Sequence, residues 1–180
     1  MLHCDALIVG GGPAGSTAAR LLRRAGWDVV VADRARFPRD KVCAGWLTPD
    51  VFSLLDLTPD AYRATGSTVQ EITAFRTSVM GGRPVETRYP RVVRYAIRRC
   101  EFDTFLLQRS GVRTLEDSFV PTLRHDGDRW IVNESIETPI VIGAGAHTYE
   151  VIDNWAQRPA DKPWGDTHMV EEVEEGRIFV

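Results

Sequence analysis

The six residues Gly10-Gly11-Gly12-Pro13-Ala14-Gly15 limit how this chain can fold more than any other stretch. They follow residues 5–9 (DALIV), a mostly apolar run with the character of a strand buried on both faces of a parallel sheet. They open residues 13–25, where Ala14, Ala18, Leu21, Leu22 and Ala25 recur at helical spacing and Arg20, Arg23 and Arg24 take the other side. Gly26 stops that helix, and residues 28–32 (DVVVA) supply a second, β-branched strand ending at Asp33. Such a unit is β-α-β with parallel strands and a right-handed crossover, and its sheet is expected to be covered by helices.

Glycine stands at all three fixed positions of a GxGxxG pattern, and each has a physical task. Gly10 permits a tight turn, Gly12 lets the backbone approach a diphosphate, and Gly15 lets the helix pack close to the strand. The free N–H groups and dipole at the helix start favour phosphate without any cationic side chain. Asp33, 18 residues beyond Gly15, is positioned to accept hydrogen bonds from ribose hydroxyls and disfavours a 2′-phosphate there. This pattern implies a bound dinucleotide, and by itself does not separate FAD from NAD.

Further along, residues 34–47 are rich in Arg, Pro, Lys and Gly and read as a long irregular loop before a helix starting near Thr48-Pro49-Asp50. Residues 68–95 alternate in strand fashion around Gly81-Gly82, predicting a hairpin outside the nucleotide-binding sheet. Phe102, Phe105 and Leu106 mark a helix ending near Ser110-Gly111, and residues 112–115 form a third parallel strand. An Asp126-Gly127 turn predicts a second hairpin, and residues 139–142 a last strand running into Gly143-Ala144-Gly145.

A net charge of −3 gives no general reason for nucleic-acid binding. Cys4, Cys43 and Cys100 are odd in number and far apart, which suits neither a disulfide framework nor a metal knuckle, so no metal is expected and a reducing cytoplasm is. No run reaches transmembrane length; contact with a membrane surface and the oligomeric state stay open. His147 lacks a nucleophile partner, and Trp46, Trp130, Trp155 and Trp164 are read as core residues, so none is assigned to catalysis.

The order GGGPAGSTAA, FPRDKVCAGWLTP, IRRCEFDTFLL and VIGAGAH resembles flavoprotein oxidoreductases of the geranylgeranyl reductase type, within a wider group of flavin-dependent hydroxylases and halogenases. The resemblance implies an α/β fold: an FAD-binding Rossmann-like domain with an inserted β-rich region. Its divisions would be residues 1–66 and 99–150 for the FAD domain, 67–98 for the insert and 151–180 for a divergent acidic tail. It implies FAD contacts from Gly10, Gly12, Pro13, Ala14, Asp33 and Arg34, and from Arg99, with Arg98 as its neighbouring alternative. Cys43, Ala44 and Gly45 would pass near the flavin, and Gly143-Ala144 would turn toward the dinucleotide.

The resemblance fades after Ala146. The family's later GD-containing segment is expected to be missing, with Gly165-Asp166 a coincidental dipeptide, so the fold looks incomplete at its C-terminus. The implied activity is reduction of a small, unsaturated, apolar substrate such as an isoprenoid, with NAD(P)H as reductant. The alternatives are flavin-dependent oxygenation or halogenation, or a shortened dinucleotide-binding module without catalysis.

Overall fold

In the computed structural model, residues 1–144, 171–174 and 177–179 are described. In chain order the elements are β1 (Leu2–His3), β2 (Ala6–Val9), α1 (Pro13–Arg24), β3 (Val29–Ala32), β4 (Trp46–Leu47), α2 (Pro49–Leu54) and α3 (Pro59–Arg63). There follow β5 (Val69–Ile72), β6 (Ala74–Thr77), β7 (Val85–Arg88), β8 (Arg94–Ile97), α4 (Arg99–Ser110), β9 (Arg113–Leu115), β10 (Leu123–Asp126), β11 (Arg129–Val132), β12 (Ile136–Thr138) and β13 (Ile140–Gly143). A separate unit, Ala146–Val180, contains the antiparallel pair β14 (Glu171–Glu174) and β15 (Arg177–Phe179).

The central sheet is parallel, in the order β13-β2-β3-β9. Its strands alternate between two cores, because successive side chains of a strand point to opposite faces. Ile8, Val29 and Val31 pack with Ala19 of α1 and Leu107 of α4 on one face. Leu7, Val30 and Ala32 pack with Cys4, Val132 and Ile136 on the other. Each fully buried Leu, Ile or Val contributes about 1.5–3 kcal/mol, so these strands anchor the fold.

The second face departs from expectation. It is covered by a four-stranded sheet, β1-β12-β11-β10, and not by helices. β1 runs parallel to β12, whereas β10 and β11 form a hairpin in which Asp126 pairs with Arg129. Its two-residue loop is therefore Gly127-Asp128, one place later than the turn expected, with Gly127 at φ +68°.

Helix α1 turns inward a face that only partly matches the expected stripe: Ala18 and Leu22 pack against the core. Gly15, Ser16 and Ala19 are buried, while Ala14, Leu21 and Ala25 are exposed. Close packing on the sheet selects small residues for the centre of the inner face, so the apolar stripe in the sequence marks only its edge. Helix α4 behaves as expected in burying Phe102 and Leu106, and ends at Gly111 in the left-handed conformation.

A third cluster holds Phe52, Tyr62, Ile97, Phe102 and Leu106, with Phe52 and Tyr62 contributed by α2 and α3. It backs the small sheet β4-β8-β5, outside the parallel sheet. The hairpin expected around Gly81-Gly82 is present as β6-β7, with Ala74 opposite Arg88 and Thr77 opposite Val85. Among the described residues no helix is long and apolar enough to cross a membrane.

Candidate dinucleotide-binding site

The chain leaves β2 at Gly10, whose φ of +111° lies in the region that L side chains avoid, and whose N–H donates to the Ala32 carbonyl at 2.8 Å. Helix α1 starts immediately afterwards, with Gly12 as N-cap and Pro13 in the first turn. No side chain caps it and its first turn has no acid, whereas Arg23 and Arg24 occupy its last turn. Its amino end therefore keeps the full positive pole of the helix and N–H groups for an anion.

The glycines differ in what demands them. A Cβ on Gly15 would stand 1.9 Å from the Gly10 carbonyl oxygen and 3.1 Å from the Ala144 side chain, so the protein's own packing requires glycine there. A Cβ on Gly12 would meet only an Arg39 nitrogen, at 3.5 Å. Among the described residues nothing closer occupies the space a Gly12 side chain would take, and a diphosphate lying over the amides suits that close approach of backbone.

Asp33 lies at the end of β3 and is buried. One carboxylate oxygen accepts from the Gly11 N–H at 2.7 Å and the other from the Ala35 N–H at 2.9 Å. The carboxylate thus fixes the glycine turn, and each oxygen retains lone-pair capacity for a ribose hydroxyl. Ser16 adds a brace, its hydroxyl donating to the Gly11 carbonyl at 2.9 Å.

Beside the turn lies an arginine–carboxylate cluster. Asp103, fully buried on α4, accepts from Arg99 Nε and Nη2 at 2.8 and 2.9 Å and faces Arg39 at 3.4 Å. Two guanidinium groups share one carboxylate, leaving positive charge next to Gly12. Arg39 also rests 5.0 Å over the Phe37 ring, which holds it toward the turn. The bond to Asp103 raises the Arg99 pKa, keeping that side chain charged.

Cys43 is exposed. Its sulfur accepts from the Gly45 N–H at 3.4 Å, and that bond together with Arg99 lowers the thiol pKa. Gly45 has φ +69°, and a Cβ there would stand 2.5 Å from the Ile97 carbonyl oxygen. Its glycine is demanded by contact with β8, a reason different from the close approach to a flavin expected from the sequence. Ala44 is exposed beside it.

The structure therefore brings Gly10, Gly12, Pro13, Ala14, Gly15, Asp33 and Gly143-Ala144 to one turn; the Ala144 N–H donates to the Val9 carbonyl at 2.8 Å. Arg99, Cys43 and Gly45 form the adjoining cluster. Arg34 is exposed, and Arg98 pairs at the surface with Glu101 at 2.9 Å, so Arg99 is the inward member of its pair. Sequence reasoning missed Arg39 and Asp103. For Asp103 a signal existed: an acid four residues after Arg99, between apolar Phe102 and Leu106. His147, Trp155, Trp164 and Gly165-Asp166 lie outside the described residues.

Curated proteins and solved structures that resemble the chain include two reductases and one reductase-like protein. Geranylgeranyl diphosphate reductase of Rhodobacter capsulatus is 34% identical over 82% of this chain and 38% of its own length. Menaquinone reductase of Mycobacterium tuberculosis is 33% identical over 77% of this chain and 35% of its own. A geranylgeranyl bacteriochlorophyll reductase-like protein of Thermoplasma acidophilum superposes with a TM-score of 0.64 at 22% identity, over 80% of this chain and 39% of that one. The chain thus spans less than half the length of each. The family model described as FAD binding domain matches residues 3–115, the stretch containing the glycine turn, Asp33, Arg39 and Asp103, and the chain belongs to that family.

Proposed function

We propose that the chain forms the cofactor-holding part of a cytoplasmic FAD-dependent reductase that uses NAD(P)H to saturate a double bond in a small apolar, isoprenoid-type substrate. The carrying observation is the uncapped start of α1, with Asp33 bonded to the Gly11 N–H and Arg39 beside Gly12. The α1 amides and Arg39 would hold the diphosphate, and Asp33 the adenosine ribose. The bound flavin would supply the hydride chemistry between nicotinamide and substrate. Arg39 and Arg99 keep this side of the site positive, and Asp103 sets their orientation.

Support for an apolar substrate comes from relatives named for geranylgeranyl diphosphate and menaquinone, and from the aromatic side chains next to the Cys43–Gly45 loop. Trp46 stacks on Phe75 with ring centroids 5.5 Å apart, and Phe75 on Tyr89 at 6.2 Å. Trp46 is 53% and Tyr89 40% exposed, so these rings present a surface for an unsaturated hydrocarbon. The three cysteines are free thiols, which suits a reducing compartment.

The test is anaerobic. The chain should take up FAD with an oxidised-flavin spectrum, bleach on addition of NADPH or NADH, and recover its colour with a polyprenyl quinone or a geranylgeranyl compound. Recovery only in air, with peroxide released in proportion to substrate, would replace reduction by oxygenation. Retention of FAD without bleaching would leave a binding module and overturn the reductase reading.

A further inference from the structure

The β6-β7 hairpin has a feature that dinucleotide binding does not use. Every residue from 76 to 91 is exposed, and the loop joining the strands carries two bare aliphatic side chains, Val79 at 78% and Met80 at 104% exposure. The loop is a fixed turn. The Gly82 N–H donates to the Val79 carbonyl at 2.9 Å, and Gly81 has φ +76°. A Cβ on Gly82 would come within 2.6 Å of the Val79 side chain, so the two glycines hold Val79 and Met80 out at the corner.

The strands continue this pattern. Alternation places Phe75, Thr77, Val85 and Thr87 on one face, with Val85 63% exposed. The opposite face carries Arg76 and Arg88, both paired with Glu86. Between residues 74 and 91 there are four arginines, Arg76, Arg83, Arg88 and Arg91, and one acid, Glu86, although the whole chain is negative at −3. Positive charge is thus concentrated around the one bare aliphatic corner of the hairpin.

We propose that this hairpin tip docks on an anionic phospholipid surface, with Val79 and Met80 entering the headgroup–acyl boundary and the arginines meeting lipid phosphates. Short apolar side chains flanked by arginine are what an interfacial anchor requires. A second copy is a poorer occupant, because a symmetric contact would set four arginines against four more. A nucleic acid would use the arginines and leave Val79 and Met80 in water. Docking deepens the proposed function, since an isoprenoid substrate resides in lipid; it is read without turnover, so either proposal can fail while the other stands.

The experiment is flotation of the full chain with vesicles of phosphatidylcholine alone or mixed equally with phosphatidylglycerol. The chain should float with the anionic vesicles, less at high salt and weakly with phosphatidylcholine alone. Met80→Asp should lower the partition coefficient about tenfold or more, and Arg83→Gln about fivefold, with unchanged circular dichroism. Met80→Trp should give emission quenched by brominated lipid. Failure to float, or flotation indifferent to Met80→Asp, overturns the proposal. So does concentration-dependent self-association abolished by Met80→Asp, or oligonucleotide binding that Met80→Asp leaves intact.

Discussion

The glycine turn after β2 and the loop of residues 37–45 flank the same site by opposite means. At the turn, the site is built from backbone: an uncapped helix start, a left-handed Gly10, and a carboxylate gripping the Gly11 amide. In the loop it rests on side chains, with Arg39 drawn to Asp103 of α4 and Cys43 beside Arg99. The difference teaches that a glycine's place in a motif does not reveal its task. Gly15 and Gly45 are both required by neighbouring carbonyls, whereas among the described residues a Cβ on Gly12 would meet only the Arg39 guanidinium, at 3.5 Å.

The largest expected effect tests the backbone half. Gly15→Ala should destabilise the fold by about 3 kcal/mol or more, because its Cβ meets backbone that cannot swing aside. An unfolding free energy from urea titration within about 1 kcal/mol of wild type would show that the turn has slack. Next, Asp103→Asn leaves two guanidinium groups without their shared counter-charge, for a loss of about 3 kcal/mol in the same measurement. If the loss is negligible, the loop is not held by this cluster.

Smaller effects separate cofactor binding from folding. Asp33→Asn should weaken FAD about tenfold in a fluorescence-quench titration, through a lost charge-assisted bond to ribose. Arg39→Gln should weaken it about fivefold, and less at high salt, while the midpoint moves little. The smallest effect concerns Cys43. Only the thiolate alkylates, so its rate should rise with pH around a midpoint below the ordinary thiol value, and Arg99→Gln should move that midpoint upward. Buried Cys4, whose thiol pKa burial raises, should stay protected in the folded protein.

The two halves also differed in how far they could be read beforehand. The β2-α1-β3 unit was legible because strand texture, glycine spacing and a terminal acid agree within 33 residues. The inner face of α1 was legible only in part, at Ala18 and Leu22, since close approach rewards Gly15, Ser16 and Ala19 over the more hydrophobic Leu21. The covering sheet escaped notice because β1 and β12 are only two and three residues long, too short to show periodicity. The arginine cluster joins residues 39, 43, 99 and 103, and proximity between such distant positions leaves no local trace. Only the acid on the buried side of α4 hinted at it.

The strand order has a consequence for biosynthesis. Ala6 pairs with Val29 on one side and with Ile140 on the other. While the ribosome is still making the middle of the chain, β2 has one neighbour and presents an open ladder to any passing strand. The site also lacks Ala144, which packs against Gly15. Nascent protein should therefore acquire FAD late, after translation has passed that alanine, and until then depend on chaperones to keep its sheet from pairing with another molecule.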